Sequence, residues 1–458
     1  MLLIHALALL QASQPFVVTR APVIALTHVR VIDGTGAAPR DDQTIIIRDG
    51  KIAAIGAAAG TAIPADAEVR DASGRTALPG YVMLHEHMYY PGGSLMYPDH
   101  SSSFAPLYLA GGATTIRTGG SMVPYSDLNL RLNIESGRVV GPDVDVTGPY
   151  LNGPGLPIPA VKALKDADDA RRMVEFWAGE GVTSFKAYMQ ITRAELKAAV
   201  IAAHARGLKV TGHLCSVTYR EAADLGIDNL EHGFFASTDF APGKEPDRCP
   251  PGLGTVALAA LDPKGAEVQG LLKHLVQKGV AITSTLTVFE TSVPGQPQAS
   301  DGALEAMHPD ARASYQRNWT RISHDTSTRR RREYAAMVAL EREFVRLGGL
   351  LVAGTDPTGY GGVVAGYANQ RQVELLVDAG FTALEAIRIS TLNGATYLGR
   401  ANRIGSLAAG KDADIVLVGG NPAARIADVR NVELVFKKGV AYDSKAIFAS
   451  VKGTVGWR

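Results

Sequence analysis

Gly207-Leu208-Lys209-Val210-Thr211-Gly212-His213 joins a glycine, a run of strand length and a polar residue that an ordinary core would not want. The phrase recurs as Gly111-Gly112-Ala113-Thr114-Thr115-Ile116-Arg117, Gly181-Val182-Thr183-Ser184-Phe185-Lys186 and Gly226-Ile227-Asp228-Asn229-Leu230-Glu231-His232. It returns from Gly279 to Ser284 and from Gly349 to Asp356. With Pro79-Gly80-Tyr81-Val82-Met83-Leu84-His85-Glu86-His87 and Asp143 to Thr147, there are eight such runs. Glycine just past a helix permits the left-handed turn into the next strand. Between the runs lie segments of helical length and composition, among them Ala167 to Glu180, Arg193 to Arg206 and Ala266 to Lys278. Strands alternating with helices give a parallel sheet, so an α/β fold is expected: a (β/α)8 TIM barrel over residues 79–399.

Outside that span the texture changes. From about Val23 to Thr76 short alternating strands are broken by Asp33-Gly34, Asp49-Gly50 and Ser73-Gly74, the second a hairpin signal. The same texture returns in Gly405 to Gly420 and Val432 to Asp443. One small β-sandwich domain built from both chain ends, residues 21–78 and 400–447, accounts for both, with 448–458 as a C-terminal tail. Residues 1–20 open with the apolar run MLLIHALALL, which has two readings. A secretory signal peptide would make the protein periplasmic or secreted; a disordered N-terminus would leave it cytoplasmic.

Lysine and arginine number 46 against 45 acidic residues, so no broad basic surface points to nucleic acid. No run is long and apolar enough to predict a transmembrane segment. Two cysteines, Cys215 and Cys249, exclude a disulfide framework and a cysteine-built zinc site. They are either one disulfide or two unrelated buried thiols. Arg329 to Arg332 opens a long solvated helix between strands seven and eight, or else forms a partner-binding patch.

The function is expected at the strand ends. His85 and His87, two apart on a strand, point to the same face. In a barrel they meet Lys186, His213, His232 and Asp356 at one mouth. The other histidines, His5, His28, His100, His204, His274, His308 and His324, fall outside the phrase and are expected at surface or loop positions. Imidazoles and a carboxylate suit two divalent metal ions of the zinc type. An ammonium beside two dications is disfavoured, whereas a neutral lysine amine can take up CO2, giving a carbamate on Lys186 with two oxygens to bridge the ions.

This arrangement resembles the amidohydrolase superfamily, in particular its imidazolonepropionase-like and prolidase-like bacterial members, over nearly the whole chain. The resemblance is carried by His85-x-His87, Lys186 at the fourth strand, His213, Glu231-His232-Gly233, Gly354-Thr355-Asp356 and the return strand Gly405 to Asp414. It implies a binuclear site, with His85 and His87 on the buried metal and His213 and His232 on the exposed one. Carbamylated Lys186 would bridge them, and Asp356 would bind metal and serve as the catalytic acid-base. A bridging hydroxide would then hydrolyse an amide bond of a small-molecule substrate such as a dipeptide or N-acyl amino acid. The same site could serve a lactone, ester or phosphotriester, and a non-catalytic ligand-binding barrel is the contrasting class. A homo-oligomer is expected.

The chain departs from its relatives at Met83, where they carry an aspartate, at Leu214-Cys215-Ser216, and at Gln370. Met83 removes an expected hydrogen-bonding contact behind the first histidine. Cys215 is either close to the site or a small core residue. Candidate substrate contacts are Tyr89, Tyr90, Arg117, Tyr150, Asn152 and Tyr188, with Arg117 suited to a substrate carboxylate; the alternative is that they pack the mouth and pair internally.

Overall fold

Asp49 and Gly50, both with positive φ, turn the chain between two paired strands, as the Asp-Gly hairpin signal requires. The computed structural model describes residues 16–92, 96–250, 252 and 255–456, so the apolar run MLLIHALALL and the signal-peptide reading it prompts lie outside the described residues. The N-terminal side contributes β1 (Val17–Thr19), β2 (Val23–Val31), β3 (Arg40–Arg48), β4 (Lys51–Ala57), β5 (Glu68–Asp71) and β6 (Arg75–Pro79). One residue later the chain enters β7 (Tyr81–Glu86), followed by β8 (Ala113–Thr118), β9 (Asp143–Asp145) and β10 (Ser184–Ala187). Then come β11 (Lys209–Gly212), β12 (Asn229–Glu231), β13 (Ala281–Ser284) and β14 (Leu351–Ala353). The C-terminal side adds β15 (Ile415–Gly419), β16 (Val432–Lys437) and β17 (Val440–Asp443).

The two ends meet in one nine-stranded sheet, in which β15 pairs antiparallel with β6 from Ile415↔Pro79 to Gly419↔Arg75. Alternate residues from both ends share a core: Ile24, Leu26, Ile45, Ile47, Ile415, Leu417 and Phe436 are all buried together. β1 lies before the expected boundary at residue 21, and a helix, Ser444–Ser450, continues past 447. Val455, in the expected tail, pairs with Met307.

The middle of the chain is an α/β fold of parallel strands. β7, β8 and β9 pair in order, as do β10 to β14. Thr147 and Ser184 bridge the two groups in parallel. On the other side, the backbone N–H groups of Thr355 and Asp356 donate to the His85 carbonyl at 3.1 and 3.0 Å. The helices Ala167–Glu180, Arg193–His204 and Ala266–Gln277 lie where expected. Thr192 and Glu195 close a capping box at the second of these, and Gly181 ends the first in the left-handed region. Before β14 the left-handed glycine is Gly348, one residue earlier than the phrase implies. No helix among the described residues is long and apolar enough to cross a membrane.

Candidate metal centre

Strand alternation and two left-handed residues bring the expected side chains together. His85 lies in β7 and Lys186 in β10, both buried, while His87, His213 and His232 each follow the last residue of a strand. His232 and Asp356 have φ of 68° and 54°, uncommon for residues with a side chain. The left-handed turn at His232 lets its ring and the preceding Glu231 carboxylate both reach the same cluster, where strict alternation would separate them.

The distances are short. Asp356 Oδ1 lies 3.3 Å from His87 Nε2 and 3.9 Å from His85 Nε2, and its Oδ2 lies 3.8 Å from His232 Nδ1. His85, His232 and Asp356 each offer one donor atom within 4.8 Å of the others. The Lys186 ammonium donates to His85 Nε2 at 3.0 Å, and the His213 ring packs 4.4 Å from that of His232. Three of the rings are held at Nδ1: His85 by Glu231 at 2.8 Å, His87 by the Gly120 carbonyl at 3.3 Å, His232 by Thr285 Oγ1 at 2.9 Å.

Burial sets the charge states. It lowers the His87 and His213 imidazoles to about 4 and about 3, so both are neutral electron-pair donors near pH 7. It lowers the Lys186 amine to about 8, against the opposing pull of Glu231 and Asp356. Burial pushes the Asp356 carboxyl upward, but His85, His87 and His232 together hold it well below the usual carboxylate range. Neutral imidazoles around an ionised carboxylate are a donor set that fits a divalent cation of the zinc type.

The expected substrate contacts divide. Tyr89 stacks on His87 at 4.4 Å and shares a 2.6 Å hydrogen bond with the Tyr150 hydroxyl; Tyr188 packs against Tyr150 and His213. These three rings line the cluster. Tyr90 turns away, its hydroxyl accepting from Gly362 N–H at 2.9 Å and its ring packing against Phe104. Asn152 is fully buried and spends its amide on Gly153 and Gln190. Arg117 is 1% exposed, and its guanidinium donates to the Leu84 carbonyl and, at 2.6 Å, to Glu231. Its place is therefore behind His85, not at the mouth, because a buried guanidinium needs internal acceptors.

Cys215 is buried and bonded to Cys249 as a disulfide, which ties the loop after β12 to the end of β11. Gln370 is buried in the helix Tyr367–Asp378. Of the histidines expected at surface or loop positions, His100 is buried at the start of the helix Ser101–Ala110, and His204 bonds Asp228 at 2.9 Å. Arg330 pairs with Glu333, and Arg331 donates to the Pro294 carbonyl, so the arginine run starts a helix and anchors it.

Sequence reasoning did not find Thr285, Phe289, Tyr97 or the role of Glu231. Phe289 packs 5.7 Å from His232 and Tyr97 5.2 Å from Tyr89. Only the Glu231-His232-Gly233 run carried a signal.

The profile of the amidohydrolase family matches residues 77–441, and the chain belongs to that family of hydrolases. A dihydroorotase of Anaeromyxobacter dehalogenans is 37% identical over 105 residues, 23% of each chain. An imidazolonepropionase of Phocaeicola vulgatus is 63% identical over 38 residues, 8% of this chain and 9% of that one. The matches thus span about a quarter or less of these curated relatives. Among solved structures, a putative prolidase from Bifidobacterium longum superposes with a TM-score of 0.69 at 24% identity, covering 94% of this chain and 100% of that one. A Xaa-Pro dipeptidase with bound methionine gives 0.69 at 19%, covering 92% and 100%. These likenesses establish a shared fold.

Proposed function

We propose that this protein is a metal-dependent amidohydrolase that cleaves a carbon–nitrogen bond of a small amide, such as a dipeptide or N-acyl amino acid. The observation that carries this reading is the convergence of His85, His87, Lys186, His213, His232 and Asp356 from the ends of five separate strands on one cluster. Its proposed frame is a closed (β/α)8 barrel over 79–399, supported by the hydrogen bonds from strand to strand and from the end of β14 back to His85. The proposed second domain is a β-sandwich from 21–78 and 400–447, supported by the core the two ends share.

The residues proposed to hold two zinc ions are His85 and His87 for one and His213 and His232 for the other, with Asp356 completing the first. Bound divalent metal would supply a water of lowered pKa and polarise the scissile carbonyl. Lys186 is the proposed carbamate: its amine nitrogen adds to the carbon of CO2 and releases a proton, a step favoured by burial of the amine. Asp356 accepts the proton of the attacking water and returns it to the leaving nitrogen. Tyr89, Tyr150 and Tyr188 present an aromatic wall to the substrate, whose acyl or side-chain group packs against it. With Arg117 committed to Glu231, a carboxylate on the substrate would be met by another group. The assembly is proposed to be a homo-oligomer, which light scattering tests.

The deciding experiment measures metal content and then turnover with the zinc-loaded protein, on dipeptides, N-acyl amino acids and their uncharged amides beside lactones and a phosphotriester. Two equivalents of metal and amide turnover are expected. Inert amides with rapid lactone or phosphotriester turnover would replace this reading, and a folded protein that binds no divalent metal would end it.

A further inference from the structure

Arg117 and Glu231 have no part in the bond-breaking chemistry, yet both are buried directly behind His85. Glu231, fully buried, places one carboxylate oxygen 2.8 Å from His85 Nδ1 and the other 2.6 Å from Arg117 Nη2. The same guanidinium donates through Nε at 2.8 Å, and again through Nη2, to the carbonyl of Leu84, the residue before His85. Arg117 therefore grips His85 from two sides without touching its ring. One contact holds the backbone entering it and the other holds the carboxylate behind it.

We propose that Arg117 and Glu231 are positioning residues that set the orientation and tautomer of His85 for holding a divalent cation, an inference that rests on the metal-centre reading above. A carboxylate can only accept, so the proton of the ring sits on Nδ1 and Nε2 is left with its lone pair. Nε2 faces the cluster, where Lys186 Nζ lies at 3.0 Å and Asp356 Oδ1 at 3.9 Å. A metal-binding histidine whose second nitrogen donates to a carboxylate is both oriented and made a better donor. The Nδ1 of His87 meets the Gly120 carbonyl and that of His232 meets the Thr285 hydroxyl, so His85 is distinguished by a carboxylate at hydrogen-bond distance.

Burial makes the arrangement interdependent. With Arg117 at 1% exposure and Glu231 at 0%, no water replaces a lost partner, and removing the guanidinium leaves a buried carboxylate unpaired. The pair also answers the departure at Met83. That side chain is buried among apolar neighbours, and the acceptor it does not supply from β7 comes across from β12.

The test titrates metal-stripped protein with Zn2+ against a chromophoric chelator, for wild type, Glu231→Gln, Arg117→Met and Arg117→Lys, with circular dichroism as the check on folding. Glu231→Gln and Arg117→Met are expected to weaken zinc binding by about 10- to 100-fold. Arg117→Lys is expected to recover part of that, since an ammonium can pair with Glu231 but lacks the planar fork that also reaches Leu84. Nitrogen-15 spectra of the wild-type histidines provide a measurement that needs no variant, and a proton on Nδ1 of His85 is expected. Wild-type zinc affinity in folded Arg117→Met and Glu231→Gln would overturn the proposal, as would a proton found on Nε2 instead. Wild-type protein that binds no Zn2+ would overturn the metal-centre reading itself, a result distinct from either.

Discussion

At residue scale, Gly354 lacks a side chain where His85 needs the space. A Cβ at Gly354 would lie 2.4 Å from His85 Cβ and 2.7 Å from its backbone nitrogen, and one at Gly119 would lie 2.4 Å from His85 Cδ2. Gly354→Ala therefore forces β7 and β14 apart, at a cost of about 1–3 kcal/mol. Urea denaturation should show that loss together with reduced metal content; unchanged values for both would mean that the strands adjust freely. Asp356 carries the proposed proton transfers. Asp356→Asn is expected to lower kcat by about 10²- to 10⁴-fold in a protein of wild-type secondary structure, and a variant as active as wild type would remove Asp356 from the chemistry.

At the scale of the element, the helix Arg329–Arg346 buries Glu341 against β13, where its carboxylate accepts from Ser284 Oγ at 2.8 Å. Burial pushes this carboxyl up to about 8 from an ordinary value of 4.5, the Ser284 hydroxyl pulling the other way. Between those two values the folded chain holds a proton that the unfolded chain has released. The associated stability is complete below pH 4.5 and is lost as pH rises through about 8. Glu341→Gln should flatten the fall in the urea midpoint over that range, and an unchanged slope would show that other groups set it. A second element-scale device is the disulfide between Cys215 and Cys249, 34 residues apart in sequence. In the chain-entropy model it contributes about 3–4 kcal/mol, so Cys249→Ser should lower the denaturation midpoint, and reductant should lower the wild-type midpoint to match.

At the scale of the whole molecule, the end-built sheet supports the site through β6. That strand pairs with β15 and, one residue on, becomes β7 with His85 at its end. Phe436, fully buried in the core the two ends share, lies far beyond Asp356, the last strand-end ligand candidate, yet belongs to this support. Phe436→Ala is expected to cost about 3–5 kcal/mol by denaturant unfolding, with secondary structure and bound metal lost in one transition. Loss of the end sheet alone, with metal retained, would show two independent units.

The alternation of glycine, strand and helix was legible because backbone periodicity is local. The strand-end histidines, Lys186 and Asp356 were legible because polar residues at the ends of buried runs stand out against the core. The paired chain ends were legible because turn residues and alternating strands recur at both. What lay behind the site was not. Arg117 read as a mouth residue because sequence gives a strand's end but not the acceptors it finds across the molecule; folding put Leu84 and Glu231 beside it. The choice between disulfide and free thiols likewise awaited the position of the loop after β12. Local chemistry along the chain thus determined the fold class and the candidate donors. The tertiary structure alone decided which buried charges face one another, because those partners lie 33 and 114 residues apart and are selected by the requirement that a buried charge be paired.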